Sequence, residues 1–283
     1  MNTAKPYLIK IITSLFFLVI GTKFCHAQTD TIVVNNQKTA CTVKEITPDA
    51  VKYTYPGEDV LNSVYKNTVQ KIIFKSGRIQ TFAEATSYKK VSDVMDFDNV
   101  TVTAVESEVH GLFKISDVGA KAKGTTVYSS MERVKERAYH KLKLQASMFG
   151  ANIIYLSDLK SEGNKYGGYW GGSSTTETNL TGIAYSNVLP DYDTFKKLVG
   201  TKTVFVAIKR FELGGSDSDV SQDNIDKPFS ISNITNENGL ILIEGNLKDE
   251  KNVTTFQVAN FTTDTFSVAY RYKGTVYNFT IKI

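Results

Sequence analysis

Histidine, cysteine and tryptophan are scarce in this chain of 283 residues: it has three, two and one of them. Beyond residue 27 the only cysteine is Cys41, so no disulfide can form within that part of the chain. A lone thiol in an apolar setting reads as a packed side chain, and burial rather than cross-linking has to hold the fold. The two remaining histidines are His110 and His140. Glu132, Glu136 and His140 recur at every fourth position and share a helix face. Arg133, Lys135, Arg137, Lys141 and Lys143 crowd the same helix, so a solvated face with intrahelical charge pairs outweighs a metal site. His110 follows Glu108-Val109 with no partner in sequence and reads as structural or exposed.

Other absences narrow the chemistry. No Gly-x-Ser-x-Gly elbow occurs, and the glycine-rich stretch from Gly163 to Gly172 lacks the Gly-Lys-Ser/Thr that grips phosphate. Asp217, Asp219, Ser221 and Asp223 match alternate positions of a calcium loop. Gln222 stands where that loop needs glycine, however, and Pro228 where it needs a bidentate glutamate. The stretch from Ser216 to Asp226 therefore reads as a flexible solvated loop. Carboxylates are plentiful but unpaired. The residues point away from an enzyme and require no cofactor and no metal.

What the sequence does contain begins at its N-terminus. Lys5 and Lys10 precede the apolar run Ile11–Ile20, broken by Thr13 and Ser14. At about ten residues it falls short of the roughly twenty that span a bilayer. Cys25-His26-Ala27 closes the run with small residues, so 1–27 reads as a signal peptide cleaved after Ala27. Phe24, before Cys25, does not suit a lipid-anchored cysteine. Cleavage would remove Lys5, Lys10 and Lys23, leaving 30 basic against 29 acidic residues, a net charge of +1. That balance gives nucleic acid no support as a partner. The expected product is exported to the periplasm or cell surface, with no transmembrane span after cleavage.

Three regions follow. Residues 29–92 carry short β runs, Asp30–Asn35, Ala40–Ile46, Ala50–Tyr55, Val69–Lys75 and Arg78–Phe82, with turns at Thr47-Pro48-Asp49 and Ser76-Gly77. They predict a small antiparallel module. Residues 98–188 place a strand at Asn99–Glu108, then one long helix. Ser129-Ser130-Met131-Glu132 fits a capping box, and Met131, Val134, Ala138, Leu142, Ala146 and Phe149 form an apolar stripe with Lys141 on the polar side. Gly150 stops the helix, Ile153 starts a strand, and Leu180–Tyr185 makes another, giving a helix-on-sheet domain. Residues 190–283 hold a short helix ending at Gly200 and several strands. The last pair alternates through Phe266, Val268, Tyr270 and Tyr272, then Tyr277, Phe279 and Ile281. This third region reads as an adhesive or sandwich-like module, with 201–211 free to pair with either sheet. The predicted class is α+β and β-rich.

Two resemblances add to this reading. The string DTIVVNNQKTACTVKEITPDAVKYTYPGED with NTVQKIIFKSGRIQTF resembles an N-terminal module of exported Bacteroidetes proteins of unknown function. The run KLKLQASMFGANIIYLSD with LTGIAYS resembles small exported α/β domains of the YbjQ-like and RcsF-like type, in which a helix ends in Gly-Ala-Asn and enters a central strand. The second resemblance implies a fold only. The cysteines of RcsF-like sensors are missing from 98–186, and no ligand set supports the metal binding ascribed to YbjQ-like families.

The functional expectation is a cofactor-free envelope protein acting by binding or structural contact. The alternative is an envelope hydrolase whose site forms only in three dimensions. Candidate partners are an envelope glycan, a lipid or another protein. The basic excess of the long helix, five basic against two acidic residues from Met131 to Lys143, would suit an anionic lipid. Tyr166, Tyr169 and Trp170, set among glycines, are the candidate binding residues, because rings on a glycine-rich loop can stack on sugars or peptides.

Overall fold

The computed structural model describes residues 29–34, 37–82, 88–126, 128–165, 175–250 and 253–283. The leader read from the sequence lies outside these residues. Within them the chain is α+β and β-rich, and its strands form two open sheets and one closed barrel.

The first sheet contains β1 (Asp30–Val34), β2 (Gln37–Ile46), β3 (Ala50–Thr54), β4 (Asn62–Tyr65), β5 (Val69–Ile73) and β6 (Ile79–Thr81), ordered β4-β3-β2-β1-β5-β6 with antiparallel neighbours. β4 carries no clear alternation and was not foreseen. Ile32, Cys41, Val51, Val69, Ile72 and Phe82 fill the core. Asp30 is buried beside them, but its carboxylate accepts from Val43 N at 2.9 Å and Lys75 N at 2.8 Å, which offsets its desolvation.

Cys41 is fully buried, and burial pushes its thiol up from 9.0 to about 11. The folded state therefore holds the thiol proton more tightly than the unfolded chain does. Stability from this group is complete below pH 9 and is lost as the pH rises toward 11. Urea melts should show the wild type losing about 2 kcal/mol more than Cys41→Ala between neutral pH and about pH 10.5. Parallel pH profiles for the two proteins would contradict this.

The second sheet contains β7 (Thr101–Thr103), β8 (Phe113–Lys123), β9 (Ile153–Glu162) and β10 (Glu177–Ser186), ordered β7-β9-β10-β8. β7 runs parallel to β9 and the other neighbours are antiparallel. The strand expected over Asn99–Glu108 is confined to β7, and a 3-10 turn occupies Glu106–Val109. β8 escaped the sequence reading because Gly119 and its alanines blur the pattern. Helix α1 (Met131–Met148) lies on this sheet. Val134, Ala138, Leu142, Ala146 and Phe149 of the predicted stripe are buried, whereas Met131 is 38% exposed. The predicted capping box is absent: Ser130 occupies the N-cap without a side-chain bond, and Ser129 Oγ instead accepts from Thr126 N at 3.1 Å.

Helix α2 (Tyr192–Val199) precedes the third unit and is capped by Asp191, whose side chain accepts from Thr194 N at 2.8 Å. Strands β11 (Val204–Leu213), β12 (Ser221–Glu237), β13 (Leu240–Leu247), β14 (Thr255–Phe261), β15 (Thr265–Tyr272) and β16 (Thr275–Lys282) close into a barrel. β11 pairs with both β12 and β16, so this strand belongs to the barrel and not to the middle sheet. A period of two is common to sandwiches and barrels, which is why the sandwich-like expectation gives way here. The lumen is filled by Phe205, Phe229, Phe256, Phe266 and Phe279, and Phe195 of α2 packs edge-on against Phe266 at 5.4 Å. Packed rings leave this barrel a solid core rather than a cup for a ligand.

The middle and C-terminal units share one core. Phe211, Leu213, Ala269 and Val276, on the outside of the barrel, join Ala138, Leu142, Leu144 and Met148 of α1. Val91 and Val94 belong to this core too, so the segment before β7 packs with the middle of the molecule and not with the first sheet.

Candidate functional site

Tyr166, Tyr169 and Trp170 lie outside the described residues. The base of their segment is described: β9 and β10 remain paired, past a register shift at Thr181/Gly182, as far as Glu162 opposite Glu177, and Asn164 Oδ1 accepts from Thr176 N at 2.8 Å and from its hydroxyl at 2.9 Å.

The basic helix keeps a solvated face, on which Glu132, Arg133, Glu136 and Arg137 are exposed, but it is not free all round. The barrel covers its second side, and Lys141, expected on the polar side, is 3% exposed. Its Nζ donates to Gly215 O at 2.5 Å in the turn between β11 and β12, and desolvation lowers its pKa. Arg137 donates to Lys123 O at 2.9 Å. His140 Nε2 lies 3.2 Å from Asp219 Oδ1, and its ring meets Phe97 edge-on at 4.7 Å. Glu132, Glu136, Lys135 and Lys143 line an open hollow beside it. No hydroxyl or thiol among the described residues is hydrogen-bonded to His140. The contact therefore joins two elements but assembles no nucleophile–base pair. His110 stacks obliquely on Tyr65 at 5.8 Å, and its carbonyl accepts from Asn67 Nδ2 at 2.6 Å, which fastens the first sheet to the middle unit.

The acidic stretch is not a flexible loop along its whole length. β12 starts at Ser221, so only the residues before it form the turn. Asp217 accepts from Gly214 N at 2.8 Å, Asp219 from Val220 N at 2.8 Å, and Asp223 pairs with Arg210 at 2.7 Å. Each of these three carboxylates has a separate partner, and they do not converge.

The feature that best suits a ligand was not foreseen. A groove of about 680 Å³ opens where the three units meet. Gln37 comes from the first sheet, Asn152 and Asn187 from the middle unit, Thr194 from α2, and Asn260 and Phe261 from the barrel. Asparagine side chains brace its walls. Asn152 Nδ2 donates to Lys89 O at 3.2 Å and Asn187 Oδ1 at 2.8 Å, and Asn260 Nδ2 donates to Val91 O at 2.9 Å. Tyr88, Val91, Val188 and Leu189 add apolar surface. A concave, mixed surface of this size, built on rigid elements, is the usual form of a small-ligand site. Sequence offered only a faint signal for it: the unexplained asparagines at strand ends.

Comparisons with protein-family models, with curated proteins and with solved structures returned no match for the chain. No helix among the described residues is long and apolar enough to cross a membrane.

Proposed function

We propose that the chain is an exported, cofactor-free envelope protein that works by binding, with the three-unit groove as its ligand site. The groove itself carries this reading. Its walls come from all three units, and Asn260 of the barrel is tied there to Val91 of the middle unit, so the site exists only in the assembled fold. A filled barrel lumen and a helix covered on two sides direct attention to the junction. Export rests on the leader pattern of residues 1–27.

The test uses the chain from residue 28 onward, labelled with 15N and titrated with neutral oligosaccharides, peptidoglycan fragments and envelope-lipid vesicles. Binding should shift the amides of Asn187 and Thr194. Val188→Arg, which puts a long charged side chain into the groove from an exposed position, should weaken binding about tenfold or more. Trp170, the single tryptophan, reports independently whether the glycine-rich segment takes part. The His140–Asp219 contact favours a second reading, the hydrolase. Turnover of a chromogenic ester or glycoside that is lost in His140→Ala, with no shift at the groove, would establish that reading instead.

A further inference from the structure

The two edges of the middle sheet are finished differently. On the β8 edge, side chains take up the outward backbone groups. Gln145 accepts from Gly119 N at 3.2 Å and donates to Gly119 O at 2.7 Å, Arg271 donates to Asp117 O at 2.9 Å, and Arg137 donates to Lys123 O at 2.9 Å. On the opposite edge, β7 pairs with β9 only at Ile153, Ile154 and Tyr155, whereas β9 runs on to Glu162. No strand among the described residues pairs with that side of residues 156–162. The ladder fixes which groups face out. Gly119 turns both of its backbone groups to Gln145, so Ala120 turns its own toward Leu180, and Leu180 toward β8. Leu159, opposite Leu180, therefore points its N–H and C=O away from β10, and Ser161 does the same. A bare strand edge is a template for another strand.

The space beside this edge limits what can fill it. Leu159 shares a face with Leu180, which is buried in the core with α1, yet Leu159 itself is 42% exposed. Its side chain lines an open hollow of about 470 Å³, with Phe97 and Tyr139 as the other apolar walls. A residue added opposite Leu159 would share that face and enter the hollow. The charges along the edge already have partners of their own: Lys160 lies 3.9 Å from Asp158, and Lys165 2.9 Å from Glu162. The rim of the hollow mixes both signs, with Glu132 and Glu136 beside Lys135 and Lys143. Neither calls for a partner of one charge. A row of alternating N–H and C=O groups is matched by another extended backbone, and a glycan or an acyl chain has no such row to offer.

We propose that the open edge of β9 docks an extended, uncharged peptide segment of another protein, added in line with β7 and placing one large apolar side chain over Phe97 and Tyr139. The site is separate from the groove and does not rest on it. The amides of Leu159 and Ser161 are followed in the 15N-labelled chain from residue 28 onward as blocked heptapeptides are added, built from serine and threonine around a central leucine, phenylalanine or alanine. The leucine or phenylalanine peptide should shift both amides and slow their hydrogen exchange, with Asn187 and Thr194 of the groove unmoved. The alanine peptide should bind about tenfold more weakly, for want of the apolar contact. N-methylation of one alternate set of peptide amides should abolish binding and of the other set leave it nearly unchanged, because only one set faces β9. Ser161→Pro removes an outward N–H but no donor to β10, and should weaken binding about fivefold or more. Thermal melting checks that this variant folds, and if it does not, the N-methylated peptides still decide. Equal affinity of the two N-methylated sets, or movement of Asn187 and Thr194 in place of Leu159 and Ser161, overturns the proposal. So does a panel that moves neither amide. Protection of the two amides that rises with protein concentration, without peptide, would assign the edge to a second copy of the chain and overturn it as well.

Discussion

Gly150→Ala is expected to lower the unfolding free energy by about 2–5 kcal/mol, the sum of two separate penalties. Gly150 has φ +77°, the left-handed conformation that ends α1. Gly150 N donates to Ser147 O at 2.9 Å and Ala151 N to Ala146 O at 3.0 Å, the pair of bonds of a Schellman stop. An alanine there meets the left-handed strain first. It also meets the barrel, because a Cβ at this position would collide with the carbonyl of Ala259 on β14. That backbone atom cannot swing aside like a side-chain tip. Gly150→Asn separates the penalties, since asparagine tolerates the left-handed region but still carries the Cβ. Urea melts should show Gly150→Asn recovering part of the loss and remaining well below wild type. Full recovery would mean that the barrel does not press on this turn.

Gly150 also shows how far the sequence could be read. Its role as a helix stop follows from local chemistry, since a periodic apolar stripe runs up to it and a strand begins just after it. Its second role, as the point where the barrel touches α1, depends on residues more than a hundred positions away and leaves no local trace. The same division holds elsewhere. The strands around Ile32, Val51 and Ile72, the helix stripe through Leu142, and the alternation from Phe266 to Ile281 were legible because each buries one side against its own neighbours. Closure of the barrel was not legible, because it depends on the pairing of β11 with β16 across the whole unit. Nor was the groove, whose walls are single residues drawn from three units. The acidic stretch misled for a related reason. Asp223 is solvated as read, with its side chain 51% exposed, but it lies on a strand beside Arg210 and not in a loop.

Lys141 and its neighbour Leu142 give the other large expected effect. Leu142 is fully buried in the core shared by the middle sheet and the barrel, so Leu142→Ala should cost about 2–5 kcal/mol through lost contacts and the cavity left behind. By its place on the helix Lys141 should be nearly silent, but the docked barrel reverses that expectation. Its stem is buried and its ammonium donates to Gly215 O, so Lys141→Met should cost about 1–3 kcal/mol by removing that charge-assisted bond while keeping most of the packing. Lys141→Ala removes the stem as well and should cost more than Lys141→Met. The pH dependence carries its own sign. Desolvation holds the folded-state pKa below 10.5, so the folded chain releases this proton first and gains stability relative to the unfolded chain as the pH climbs toward that value. Lys141→Met should lack that gain when its melts are compared with wild type at each pH. A Lys141→Ala loss below about 0.5 kcal/mol, beside a full Leu142→Ala loss, would place that side of α1 in water and detach the barrel from it.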